Sequence, residues 1–313
     1  MNRSDAMTQD FEAKYDPQAL ETGYTLQPVG FEGRLVQRDA IDQHFTKLWL
    51  EFTDGLARRT VLDERLKSLT RIAQFTARGN LNYLEDSIRQ ALASNVPVRD
   101  VLEVILQCVV YGGNNVLDGA LDVFEVVVQE LGLEQELRDT QMPVDGRDST
   151  RDIEDEKTRW HTDDLNDPRL PRLVEQHGWL GISSGALVRP KEHMNVIAYM
   201  TALDPDWARL WERYVYQGMY GRGVLDDKTR ILCIVANCVA LGEGTQIRNH
   251  IRSALGAGAH PREVLEIIFQ SCQYFGMPPT MQALALFYGV IKEEGRLDDI
   301  GDPPFPQREH GVR

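Results

Sequence analysis

Ile251-Arg252-Ser253-Ala254-Leu255-Gly256-Ala257-Gly258-Ala259-His260-Pro261-Arg262-Glu263-Val264-Leu265-Glu266-Ile267-Ile268 reads as the end of one helix, a turn and the start of the next. Glycines tolerate the left-handed backbone that closes a helix, and a proline is accommodated in a first turn, where its missing N–H costs nothing. Working outward, residues 245–255 form the helix before the turn. Ahead of that, Ile231, Leu232, Val235, Ala236 and Val239 place an apolar face at helical spacing behind Asp226 as a cap. Leu241-Gly242-Glu243-Gly244 closes that helix. Gly276-Met277-Pro278-Pro279 ends the helix that Pro261 begins and introduces a fourth, from 280 to about 294. No useful length shows the period-two alternation of a half-buried strand. The fold class is all-α.

The same order of signals occurs twice. The segments starting Val61-Leu62-Asp63 and Val224-Leu225-Asp226 run parallel without a gap for more than sixty residues, with roughly two dozen identities. Ile88-Arg89 and Ala91-Leu92 return as Ile251-Arg252 and Ala254-Leu255. Arg99, Val101-Leu102-Glu103, Gln107, Tyr111 and Gly113 return as Arg262, Val264-Leu265-Glu266, Gln270, Tyr274 and Gly276. One further helix precedes each copy, at 41–54 and 206–217. The organisation is then an N-terminal arm (1–40), a first helical repeat (41–135), a connecting region (136–205), a second repeat (206–295) and a tail (296–313). Within the connection, 139–164 is charged and suits a mobile tether, whereas 160–193 is aperiodic and rich in large apolar residues, as in an ordered loop laid over the domains.

Of 313 residues, 42% are hydrophobic, enough for two modest cores, and the net charge is −14. That charge argues against nucleic-acid binding and provides no general attraction for anions, so an anionic substrate needs local arginines. Four cysteines at irregular spacing do not make a secreted disulfide framework. Met1 to Asp16 has no apolar signal core and no run is long enough to span a membrane, so a soluble cytoplasmic setting is expected. Phosphate loop, nucleophile elbow and dinucleotide fingerprint are all missing, and no cofactor is expected.

The second-copy pattern is long and ordered: Leu225-Asp226-Asp227-Lys228-Thr229-Arg230, His250-Ile251-Arg252-Ser253-Ala254-Leu255-Gly256-Ala257-Gly258, Pro261-Arg262-Glu263-Val264-Leu265-Glu266, Gln270 and Tyr274-Phe275-Gly276-Met277-Pro278. It resembles the carboxymuconolactone decarboxylase family, within the superfamily of alkyl hydroperoxidase D-type proteins; the first copy resembles it more weakly. The resemblance implies tandem helical domains arranged as an intrachain pseudo-dimer. By the same resemblance, three chains would give a six-domain ring, a homotrimer. It also implies a cofactor-independent lyase or isomerase acting on a small carboxylated, lactone or ring-cleavage metabolite. The alternatives are a thiol oxidoreductase of the same superfamily and a non-catalytic oligomeric binding protein.

His250 occupies the family's histidine position, where the first copy has Ser87. An imidazole titrates near neutrality and can act as a general acid, which serine cannot. The competing reading is a buried histidine bonded to a neighbouring helix. Glu266, like Glu103, either pairs with an arginine such as Arg252 or Arg89 to fix packing, or orients the imidazole of His250. Arg252, Gln270 and Tyr274 are candidates for holding substrate oxygens, although their duplication also suits a scaffold. The thiol-redox members carry Cys-x-x-Cys where this chain has Glu243 and Gln246; Cys233 and Cys238 do not share a helical face, and Cys108 and Cys272 read as core thiols. His161, His177 and His193 are too far apart in sequence to argue for a metal, and none is assigned. Trp160, His161, His177 and Trp179 are candidates for a lid over the His250 pocket.

Overall fold

A computed structural model describes residues 11–142 and 157–301, and every regular element among them is helical. Three helices precede the first copy: α1 (Pro17–Leu26), α2 (Phe31–Ile41) and α3 (Gln43–Ala57). The first copy carries α4 (Glu64–Arg78), α5 (Leu81–Ala93), α6 (Val98–Gln107), the short α7 (Val109–Gly112) and α8 (Asn114–Leu131), followed by α9 (Glu134–Asp139). Between the copies lie α10 (Thr162–Leu165), α11 (Leu170–His177), α12 (Trp179–Val188) and α13 (His193–Leu203). Next, α14 (Pro205–Trp211) continues into a π-helical segment, Glu212–Met219, and a 3-10 turn, Tyr220–Arg222. The second copy carries α15 (Asp227–Leu241), α16 (Gly244–Gly256), α17 (Pro261–Phe275) and α18 (Met277–Glu293).

The repeated signals act alike in both copies. Asp63 caps α4 by accepting from the Leu66 N–H at 2.7 Å, and Asp226 caps α15 by accepting from Thr229 at 2.8 Å. Gly79 (φ 63°) and Gly242 (φ 72°) close these helices in the left-handed region, where a Cβ is strained. The central feature is α4 packed along α15. One continuous apolar core runs through both copies, with Leu69, Ile72, Ile88 and Ile105 from the first and Leu232, Val235, Ile251 and Ile268 from the second. Full burial of each such side chain contributes about 1.5–3 kcal/mol, so neither copy holds its core alone.

Polar contacts across this seam occur in exchanged pairs. Arg59, just before the first copy, grips Glu266 of the second at 2.8 Å; its counterpart Arg222 grips Glu103 of the first at 3.0 Å. Gln74 donates to Ser271, and at the counterpart positions Asn237 faces Cys108 at 3.4 Å.

The flanking regions depart from the expectations drawn above. The 160–193 stretch is not a loop but a set of short helices. In α12, Gly181, Ile182, Ser183, Ser184, Gly185, Ala186 and Val188 are all buried. A helix covered on most sides has no polar face, so it leaves no period in the sequence. Of the expected tether, 143–156 lies outside the described residues, as do 1–10 of the arm and 302–313 of the tail. The arm otherwise folds as α1 and α2, tied to the first copy by Asp86, which accepts from Val29 N (2.7 Å), Gly30 N (3.0 Å) and Arg34 (2.8 Å). Among the described residues, no helix is long and apolar enough to cross a membrane.

Candidate active site

Gly242 turns the chain from α15 into α16, and α16 carries His250 on its buried face, 3% exposed. Beside it is a cavity of about 290 Å³, at the small end for ligand sites. Its walls come from three parts of the chain. The first copy provides Val110 and Tyr111; the end of α12 provides Val188 and Arg189. The remainder is Trp211, Val215, Tyr216 and Tyr220 from the helices around the π-helical segment, with Cys238, Leu241, Glu243, Gln246 and His250. Single π-helical turns recur at functional sites because they shift the register of one helical face.

His250 Nε2 lies 3.1 Å from the Tyr111 hydroxyl, which lies 2.9 Å from the Tyr220 hydroxyl. Burial, and then the positive charge of Arg189, depress the imidazole to about 3, so it is neutral at neutral pH. Burial also raises both phenols, which remain protonated. The result is a chain of three groups that each donate and accept, and not a standing imidazolium. Two further polar atoms on this cavity's lining residues are buried with no hydrogen-bond partner, His250 Nδ1 and Arg189 Nε, while the Tyr216 hydroxyl is met by the Trp211 and Arg189 side chains. Each unpaired buried group costs about 1–3 kcal/mol, so a polar ligand is the natural complement of this wall.

Of the other residues proposed from sequence for catalysis, substrate binding or a lid, none lines this cavity, although Tyr111, Cys238, Glu243 and Gln246 do. Glu266 does not reach His250: it pairs with Arg59 and accepts from Gln270 at 2.8 Å. Gln270 also donates to the Leu56 carbonyl at 2.7 Å. Arg252 is tied to Glu293 at 2.6 Å and faces Glu192 at 3.6 Å, and Arg89 pairs with Glu85 at 2.8 Å and with Glu130. The duplicated glutamates are thus packing residues as weighed above, with Arg59 and Arg222 as partners in place of Arg252 and Arg89.

Tyr274 belongs to the counterpart position. The positions equivalent to Tyr111, Cys238 and Gln246, which line the cavity with His250, are Tyr274, Phe75 and Tyr83 in the first copy. Those three rings pack together, with centroids 4.8 Å (Phe75–Tyr274), 5.3 Å (Phe75–Tyr83) and 5.5 Å (Tyr83–Tyr274) apart. Arg34 stacks over Tyr83 at 4.1 Å, and Ser87 donates to its own helix at Tyr83 O. Aromatic side chains fill the space that small and polar ones leave open in the second copy.

The four lid candidates also sit elsewhere. Trp160 and Trp179 stack at 4.9 Å in a separate core of the connecting region. Trp160 and His161 border a different cavity, and His177 lies 3.0 Å from the Thr201 hydroxyl. From this region, Val188 and Arg189 reach the His250 cavity. His193 lies 3.3 Å from Glu212, both fully buried. Among the described residues, no three His, Cys, Asp or Glu side chains are grouped to hold a metal. Cys108, Cys233 and Cys238 are buried with thiols raised by burial, Cys108 to about 12; Cys272 is half-buried and not a core thiol.

Sequence reasoning missed Arg189, Tyr216, Tyr220 and Trp211, which lie outside the repeated motif. Tyr111 was visible as a repeated residue, but its place beside His250 depends on the exchange of contacts between copies.

The sequence model of the Carboxymuconolactone decarboxylase family matches residues 205–288. An uncharacterized 15.0 kDa protein from the nqo9-nqo10 intergenic region of Paracoccus denitrificans is 32% identical over 108 residues, covering 33% of this chain and 78% of that protein. The chain belongs to the carboxymuconolactone decarboxylase family. A 4-carboxymuconolactone decarboxylase of Acinetobacter baylyi is 25% identical over 122 residues, covering 39% of this chain and 91% of that enzyme. The family match includes the π-helical segment, Tyr220 and His250, but stops short of Arg189, which belongs to the connection between copies.

Proposed function

We propose that the His250 cavity carries out a cofactor-independent lyase or isomerase reaction on a small carboxylated compound of the lactone or ring-cleavage type. The observation that carries this reading is the His250–Tyr111–Tyr220 chain on the wall of a small cavity with unpaired polar atoms. The named activity of the Acinetobacter relative supports decarboxylation as the first reaction to test. In that reaction the bond to the carboxylate carbon breaks, carbon dioxide leaves, and the electron pair passes into a conjugated carbonyl as an enolate. Preorganised N–H and O–H donors stabilise the enolate oxygen. A proton delivered from the histidine–tyrosine chain then re-forms the C–H bond, and one from water replaces it. His250 acts here as a neutral donor and relay. The buried, raised thiol of Cys238, with Glu243 and Gln246 in the same wall, gives no support to thiol exchange.

The test is release of carbon dioxide or isomerised product from carboxylated lactones and enols, by the full chain and by His250→Ala. Equal turnover by the two rejects the role of His250. Saturable binding without turnover by the wild-type chain identifies a binding protein instead.

The exchanged seam contacts support treating the chain as an intrachain pseudo-dimer, and exposed apolar side chains support self-association into the homotrimer. Phe45, Leu48 and Phe52 on α3 and Leu203, Trp207 and Leu210 on α13 and α14 are each 48–69% exposed. Sedimentation equilibrium at the mass of one chain overturns this assembly.

A further inference from the structure

We infer that Arg189 is the residue that binds the substrate carboxylate, and that a strained turn clamped by Asp164 sets its position. Among the described residues, Arg189 is the one arginine or lysine lining the His250 cavity. Its Nε is buried without a hydrogen-bond partner; the rest of the guanidinium meets the Tyr216 hydroxyl and forms a loose ion pair with Glu192 at 3.7 Å, which a bidentate carboxylate can displace. A guanidinium presents a planar fork that matches a carboxylate in two parallel hydrogen bonds. Arg252, the alternative anchor, is already occupied by Glu293.

The backbone after Arg189 is built to hold it. Lys191 adopts φ 66°, a left-handed conformation that strains a residue with a Cβ. Its N–H donates to Asp164 Oδ2 at 2.8 Å, and Asp164 is 2% exposed. Strain of this kind persists only where the surroundings over-determine it, and here it turns the chain directly beside the cavity. A carboxylate held by Arg189 is one that the reaction retains, because ion pairing favours the carboxylate over uncharged carbon dioxide. Neutralising Arg189 also removes one of the two influences that keep His250 unprotonated, so carboxylate binding raises the proton affinity of the imidazole. The inference rests on the His250 cavity as the binding site and is independent of which reaction follows.

Benzoate and its neutral isostere benzamide are the probes, titrated calorimetrically into the full chain, with the ring resonances of His250 followed by NMR. Benzoate is expected to bind and to shift those resonances. Arg189→Gln should weaken benzoate by roughly tenfold or more, the scale of a charge-assisted hydrogen bond, while benzamide is unaffected. Arg189→Lys should recover part of the loss. Asp164→Ala, checked for folding by circular dichroism, should weaken benzoate alone, and Asp164→Asn, which keeps an acceptor oxygen, should restore it. Equal affinity of wild type for the two probes, equal benzoate affinity of wild type and Arg189→Gln, or unshifted His250 resonances overturns the inference. A chain that binds benzoate through Arg189 yet turns nothing over retains the inference and loses the lyase.

Discussion

The hydroxyl of Tyr111 lies 3.1 Å from Nε2 of His250, although the two residues belong to different copies of the repeat. The copy that keeps the histidine therefore does not contain a complete site. Both its aromatic partner and its central helix contact come from the copy with Ser87.

Tyr111→Phe removes the hydroxyl that joins His250 to Tyr220. Loss of a buried partner on both sides is expected to cost about 1–3 kcal/mol, measured by urea denaturation. The same variant should lower turnover of a carboxylated substrate by roughly tenfold or more. Wild-type turnover in Tyr111→Phe would remove the hydroxyl from the proton chain.

Glu103 and Glu266 occupy equivalent positions but should not be equally costly to remove. Glu103 faces Arg230, which is 1% exposed, as well as Arg222; Glu266 faces Arg59, which is 42% exposed. Glu103→Ala strands a buried guanidinium and is expected to destabilise by about 3–5 kcal/mol. Arg59 can turn to water, so Glu266→Ala should cost distinctly less. Denaturant midpoints that rank the two the other way contradict this account of the seam.

His250 is held neutral in the folded chain, at about 3, whereas an unfolded histidine titrates near 6.5. Between those values the unfolded state binds the extra proton, so the contribution of neutral His250 is complete above about 6.5 and is lost as pH falls toward 3. The limiting slope for one such group is about 1.4 kcal/mol per pH unit. Melting temperatures of wild type and His250→Gln between pH 4 and 7 should converge on acidification, because the variant lacks this loss. Parallel curves would show that His250 is not buried in its neutral form.

The thiols separate by burial. Cys108, Cys233 and Cys238 are enclosed and Cys272 is not, so a thiol reagent should label Cys272 in the native chain and all four cysteines in denaturant. Rapid native labelling of Cys238 would instead point to an open path into the His250 cavity.

Much of the fold was legible because its signals are local. The aspartate caps, closing glycines and apolar spacing of 226–241 act within a turn or two of the chain, and the structure places α15 at Asp227–Leu241. The connecting region was not legible in the same way. Trp179–Val188 is buried on so many sides that no polar face remains to mark a period. Tyr274 illustrates a different failure. Its identity and helix are readable, and the sequence makes it a candidate for holding a substrate oxygen, whereas contacts across the seam send it to Phe75 and Tyr83 of the first copy and send Tyr111 to His250.

By itself, the sequence determined the helical class, the duplication, the family and the single histidine that separates the two copies. All of these are properties of neighbouring residues or of position-by-position likeness. Only the tertiary structure decided what surrounds that histidine. Burial of a shared core requires α4 and α15 to pack against each other, and that packing brings Tyr111 from the other copy to His250. The same folding brings the end of α12 to the wall of that cavity and places Arg189 there. In the first copy, three aromatic rings occupy the equivalent space. Whether a repeated pocket stays open depends on the volume that distant side chains bring to it, a quantity fixed only when the chain is packed.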